Sequence, residues 1–224
     1  MPSAMPGKLI TLEGIEGSGK TGQLRLLEKE LKKREVRFLI TQQPGGTPFG
    51  REVRQLLLQR EGAQREPTAE LLMYLADRYQ HLKEVIEPAL TQGLHVLCDR
   101  YHEATLAYQG HARGIGFAMV DQLAEILTIR IPDLTLVLDV EVEVGLKRAR
   151  ERNRRENSET WGRFEAETLD FHRKVREGYH LLAQRAPDRV LLVDASGTSE
   201  AVFEKILGLL DESGILSPVS HSID

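Results

Sequence analysis

Cysteine is all but missing from this 224-residue chain, and the one present, Cys98, has no partner for an internal disulfide. That excludes a disulfide scaffold, and the thiol's place in the apolar run at 94–98 reads as a small buried hydrophobe. Positive charge is not in excess either: 30 Lys+Arg against 34 Asp+Glu leave a formal net charge of -4. No global basic field recommends a nucleic-acid partner. No apolar run approaches the about 20 residues that span a bilayer. The N-terminal residues lack the apolar core of a signal peptide. The expectation is a cytoplasmic chain with no nucleic-acid or membrane partner, whose ligands are small phosphorylated molecules. There is no internal repeat and no low-complexity tract. With 41% hydrophobic residues, the chain can bury one substantial core and is short for two.

What is present is alternation. Short β-branched apolar segments at 8–13, 36–41, 94–98, 134–139 and 189–194 are separated by longer stretches of helical spacing. This predicts βαβ units and an α/β fold of three layers, a five-stranded parallel sheet with helices on both faces. Leu24, Leu27 and Leu31 keep the helical period, as do Val53, Leu56 and Leu57, then Leu71, Leu75 and Leu82. Pro132 and Asp133 are expected to stop the helix that runs through Leu123 and Leu127. The layout is a flexible start at 1–7, one domain at 8–213 and a frayed tail at 214–224. A polar, aperiodic stretch from Asn153 to Gly162 marks a mobile loop.

Directly after the first segment, Gly14-Ile15-Glu16-Gly17-Ser18-Gly19-Lys20-Thr21 spells G-x-x-x-x-G-K-T, and a helical stretch follows. Strand, glycine-rich turn and helix together make a P-loop: backbone N–H groups turn inward onto a polyphosphate, and the helix adds its positive dipole end. All eight residues are candidate ATP contacts. Lys20 reaches the β- and γ-phosphates, and the Thr21 hydroxyl ligates the Mg²⁺ that travels with the nucleotide. The fold expected is therefore that of the P-loop NTPases.

Ligands of open parallel sheets bind beyond the carboxyl ends of the strands. The residues there are unusual: Gln42-Gln43-Pro44-Gly45-Gly46-Thr47 after the second strand, Asp99-Arg100-Tyr101 after the third and Asp139 after the fourth. An aspartate beside a P-loop holds magnesium through water, and an arginine there clamps a second phosphate. Alone, the pair reads equally as a structural ion pair. Arg54, and Tyr74 with Arg78 one helical turn apart, are expected to open onto the same cleft.

Over roughly residues 8 to 212 these segments resemble bacterial thymidylate kinases, most specifically at Asp99-Arg100-Tyr101 and Ala107-Tyr108-Gln109. The resemblance implies transfer of the γ-phosphoryl group of ATP to dTMP, giving ADP and dTDP, by a homodimer dependent on Mg²⁺. The alternatives are a broader pyrimidine nucleotide kinase and a non-catalytic nucleotide-binding regulator. It implies that Tyr74 stacks on thymine, Arg78 donates to its O4, and Thr105 and Gln109 lie near the base. Tyr108 packs on the deoxyribose, Arg54 and Arg100 hold the monophosphate, and Glu16 sits near the sugar 3′-hydroxyl. Thr21 and Asp99 are the metal residues. Lys20 and Arg100 are catalytic.

The P-loop carries no arginine, so the catalytic cation is expected from a lid at about 148–163, where six arginines fall within sixteen residues. Arg152 is preferred, then Arg150 and Arg163. Trp161 either covers the closed site or lies on the surface. Three departures from the family pattern stand out: Ala104 where a serine is usual, Gln42-Gln43 where Arg-Glu is common, and Gly22 in the first turn after the P-loop.

Overall fold

The first strand, β1 (Leu9–Glu13), is buried at every position. Burial on both faces suits the centre of a parallel sheet, and explains why LITLE reads as a continuous run rather than an alternating one. In this computed structural model, which describes residues 7–59, 65–155 and 167–215, β1 lies in the middle of five parallel strands. Their order is β2 (Phe38–Gln42), β3 (His95–Asp99), β1, β4 (Leu134–Asp139), β5 (Val190–Asp194). All five carboxyl ends therefore face the same side.

Helices cover both faces. On one face, Ile10 and Leu97 meet Leu31 and Val36 from α1 (Lys20–Lys33) and its exit, and Leu210 and Ile215 from α9 (Ser199–Glu212) and its exit. On the other, Leu9, Val96 and Cys98 pack with Leu82, Ile86, Leu90, Tyr101 and Ala124. That face carries α3 (Pro67–His81), which continues through a π-helical turn, Leu82–Ile86, into α4 (Glu87–Thr91). Pro88 has no N–H to return to the preceding turn, and the helix widens where that bond is lost. Cys98 is a buried free thiol, pushed well up by burial, as its apolar setting predicted.

The remaining elements are α2 (Pro48–Leu58), α5 (His102–Thr105), a second π-helical segment, Leu106–Ala112, α6 (Phe117–Ile126), α7 (Val142–Arg155) and α8 (Leu169–Arg185). Proline opens α2 and α3, where its missing N–H costs nothing. The Thr47 side chain caps α2 by accepting from the Gly50 N–H at 2.9 Å.

Two sequence expectations need correcting. Helix α6 ends at Ile126, well before Pro132, because Thr128 takes a left-handed φ of 50°. Its N–H bonds the Glu125 carbonyl at 2.9 Å and that of Ile129 bonds Ala124 at 2.8 Å, so the last turn closes on itself without proline. Leu56 is 50% exposed, whereas Val53 and Leu57 face the core. At the edges of the domain, Gly7 already bonds the Leu90 carbonyl at 2.9 Å, and Ile215 is buried. Among the described residues no helix is long and apolar enough to cross a membrane.

Candidate functional site

A cleft of about 250 Å³ opens at the carboxyl ends of β1, β2 and β3, with the P-loop on one side. Gly14, Gly17 and Gly19 all have positive φ, at 131°, 72° and 102°, which is why the turn needs glycine there. Lys20 is buried, and its Nζ donates to the carbonyls of Gly14 and Ile15 at 3.0 Å and to Ser18 Oγ at 3.2 Å. Burial, then the neighbouring Arg100 cation, lower its pKa to about 8, against the pull of Asp99, Glu16 and Glu13. The ammonium is short of negative charge, which is what a polyphosphate supplies. Thr21 Oγ1 lies 3.5 Å from Asp99 Oδ2, so a hydroxyl and a carboxylate oxygen face each other beside the loop.

Arg100 joins the P-loop to the other half of the cleft. Its Nη1 donates to the Gly14 carbonyl and its Nη2 to Glu16 Oε1, both at 2.8 Å. Glu16 Oε2 accepts from the Tyr108 hydroxyl at 2.7 Å. Burial would raise the Glu16 carboxyl, but Arg100 and Lys20 hold it below the ordinary range, so it is ionised. Arg100 has a φ of 67°, a conformation costing a non-glycine residue about 1–2 kcal/mol. Two bonds hold it there: its own N–H to the Leu12 carbonyl at 3.0 Å, and the next N–H, of Tyr101, to Glu13 Oε1 at 2.7 Å.

On the far wall Arg78 is buried at 1% exposure. Its Nε donates to Gln43 Oε1 at 2.7 Å, and its Nη2 donates to the Tyr101 carbonyl at 2.8 Å and to Thr105 Oγ1 at 2.6 Å. The guanidinium lies over the Tyr101 ring, 5.1 Å from its centroid. Its Nη1 is buried with no protein partner, although Arg78 belongs to the cleft wall. Such a buried donor needs an acceptor, from water or from a ligand. Gly46 lies against His81, where a β-carbon would stand 2.3 Å from Nε2, so Pro44-Gly45-Gly46 sits tight on α3. The loop is pinned there by the Asp77 carboxylate accepting from Gly45 N at 3.0 Å. Arg54 donates to the Pro44 carbonyl at 2.8 Å and reaches the cleft.

Of the sequence candidates, Glu16, Gly17, Lys20, Thr21, Arg54, Tyr74, Arg78, Asp99, Arg100, Thr105, Tyr108, Gln109 and Arg152 all line this cleft. Tyr108 serves the core as well, with its ring edge-on to Phe171 and Tyr179. The arginines of α7 divide by their contacts. A β-carbon on Gly17 would meet the Gly145 carbonyl at 1.9 Å and Ala149 N at 3.1 Å, so the 145–149 face rests on the P-loop. Arg152 continues that face into the cleft. Arg150, two positions earlier, is exposed and is not among the residues that line the cleft. Arg148 is tied elsewhere, donating to the carbonyls of Ala195 and Ser196 at 2.9 and 3.2 Å. Trp161 and Arg163 lie outside the described residues. Asp139 is held by Arg176 in a two-point pair of 2.7 and 2.9 Å and is structural.

A P-loop, a clamp at Asp99-Arg100 and a buried guanidinium thus share one cleft. The family model described as thymidylate kinase matches residues 12–206. The chain belongs to the thymidylate kinase family. It is 51% identical over 198 residues to the thymidylate kinase of Syntrophotalea carbinolica, covering 88% of this chain and 92% of that one. To the thymidylate kinase of Pelobacter propionicus it is 44% identical over 218 residues, covering 97% and 99%. The crystal structure of thymidylate kinase from Ehrlichia chaffeensis superposes with a TM-score of 0.72 at 30% identity, over 92% of this chain and 100% of that one. This member of the thymidylate kinase family is accordingly a kinase.

Sequence reasoning missed Glu13, Tyr101, Gln43 and Tyr179 as supports of the site. The signal available was a carboxylate ending a fully buried strand. Glu13 Oε2 accepts from the Tyr179 hydroxyl at 2.8 Å, and Oε1 holds Tyr101. Burial pushes its carboxyl from 4.5 up to about 7, Arg100 opposing and Glu103 adding. The folded state therefore binds a proton that the unfolded chain has lost between those two values. This contribution to stability is whole below the lower value and declines as pH rises through the upper one. Glu13→Gln should flatten the plot of urea midpoint against pH across that window, relative to the unaltered protein; an unchanged slope would place the titration on another group.

Proposed function

We propose that this chain transfers the γ-phosphoryl group of ATP to dTMP, yielding dTDP and ADP, with the residues of this cleft doing the work. The observation that carries the assignment is the buried guanidinium of Arg78, whose Nη1 has no protein partner, in the wall of the cleft that also holds Lys20. In this reading the P-loop binds the ATP phosphates, Lys20 gains the negative charge it lacks, and Arg54 and Arg100 hold the acceptor phosphate. Tyr74 stacks on the base, Arg78 donates to its O4, and Tyr108 packs on the sugar beside Glu16. Thr105, bonded to Arg78, sets the guanidinium's orientation.

The nucleophile is a phosphate monoester with a second pKa near about 6, so it needs no general base. What must be supplied is positive charge along the line between two polyanions. Thr21 and Asp99 offer the hard oxygen pair that suits Mg²⁺ held largely by nucleotide phosphates, and the ion would supply charge neutralisation there. Arg152 is the lid-side cation whose face packs on the P-loop. Charge of this kind is worth about 10³–10⁵ in rate in arginine-finger systems. Arg150 comes second. Phe49 and Leu56 on α2 and Leu72 and Tyr79 on α3 leave apolar side chains exposed on two packed helices, which supports a homodimer through that face.

The assignment is tested by phosphoryl transfer from ATP to dTMP, dUMP, UMP, CMP and thymidine. dTMP should lead, and Arg100→Ala should abolish most turnover; CMP or thymidine outpacing dTMP would refute the acceptor. Arg152→Ala should lower kcat by about 10³ or more with little change in the dTMP KM, and Arg150→Ala should do far less. A pure KM effect at position 152 would make it a binding residue. Leu72→Glu should convert a dimer to a monomer in sedimentation velocity, and a variant that sediments like the unaltered chain would move the interface elsewhere.

A further inference from the structure

Behind the cleft wall lies Glu70, on α3 and 1% exposed. Its Oε1 accepts from Gln109 Nε2 at 2.8 Å, and the Arg113 guanidinium stands 3.7 Å away. Gln109 itself lines the cleft; Glu70 does not. An amide has two edges, one donating and one accepting, and crystallographically similar shapes conceal which edge faces where. A carboxylate beside a guanidinium settles the choice, because it offers acceptors only. The Gln109 NH₂ group must turn to Glu70, and the carbonyl oxygen is what Gln109 has left for a ligand.

The cleft wall therefore combines the donor-only guanidinium of Arg78 with an acceptor at Gln109. A 4-keto pyrimidine displays the complement, an O4 acceptor beside an N3–H donor. A 4-amino pyrimidine displays the reverse, an N4 donor beside a bare N3 acceptor. We propose that Glu70 is a specificity-determining positioning residue: by fixing the Gln109 amide in one of its two orientations, it sets the cleft to take 4-keto and refuse 4-amino pyrimidine monophosphates. This rests on dTMP being the acceptor. Glu70 touches no substrate and acts only through the amide.

The experiment is kcat/KM for dTMP and dCMP in the unaltered enzyme, Glu70→Gln, Gln109→Leu and the double variant, with thermal melts to confirm folding. Glutamine at 70 can face the Gln109 amide with either edge, which frees the amide to turn. The dTMP-to-dCMP ratio should then fall about tenfold or more, the value of one hydrogen-bond mismatch. With Gln109 already replaced by Leu, Glu70→Gln should leave the ratio where it was. An unchanged ratio in the single variant, or an equal change in both backgrounds, would overturn the proposal. A second measurement needs no variant: dTMP methylated at N3 should show a KM raised about tenfold or more in the unaltered enzyme, and a KM equal to that of dTMP would overturn it. An enzyme that phosphorylates no dTMP at all would refute the acceptor assignment instead, a result distinct from these.

Discussion

The Arg100 guanidinium is the point through which the two halves of the cleft are held to one geometry. It bonds the P-loop twice, at the Gly14 carbonyl and the Glu16 carboxylate, while its own backbone is locked between Leu12 and Glu13 at the end of β1. Two segments distant in sequence, 12–16 and 100–101, are thus joined at one residue. The left-handed backbone at Arg100 is strain that persists because these bonds over-determine it. Its effect is to turn the side chain back over the P-loop instead of letting it follow β3 outward.

Charge explains why so much of this machinery is buried yet stable. Removing an arginine and a glutamate from water costs several kcal/mol each, on the order of what their pairing returns, so Arg100 and Glu16 are poor candidates for stabilising the fold. Their value is orientation. The same accounting applies to Arg78, whose buried guanidinium meets a neutral amide at Gln43 and a ring face at Tyr101 rather than a direct carboxylate. A carboxylate at 43 would satisfy that guanidinium more completely. The neutral amide leaves more of its positive charge uncancelled, which in the proposed function strengthens the donor offered to a base.

Legibility in the sequence followed how local each interaction is. The P-loop is contiguous, its residue types are dictated by backbone approach and positive φ, and it reads correctly from Gly14 to Thr21. The five strands read correctly to within two residues because each is a short, mostly apolar run, although burial along the whole strand holds only at the centre of the sheet. Glu13 and Glu70 did not read as supports of the site, because their partners Tyr101, Tyr179 and Gln109 lie far along the chain and only the sheet brings them in. Leu56 misled because helical spacing says which residues share a face, not which face another surface will cover. The cap at Thr128 misled because a left-handed threonine is uncommon and proline is the louder stop.

The arginines of α7 show how the missing information enters. On sequence, Arg148, Arg150 and Arg152 are equivalent members of one basic cluster, since nothing in a run of charges says which member faces a site. The close approach of Gly145 to Gly17 removes the equivalence: glycine on both sides lets the helix backbone rest on the phosphate loop itself. Once that contact exists, the 100° rotation per residue sets Arg150 on the opposite side from Arg148 and Arg152, and their contacts separate those two. Arg148 reaches the carbonyls at the end of β5, and Arg152 lines the cleft. A helix seated on the loop by backbone contact carries Arg152 into the cleft that the loop borders. A loop without an arginine of its own can therefore draw on one from α7 without losing preorganisation.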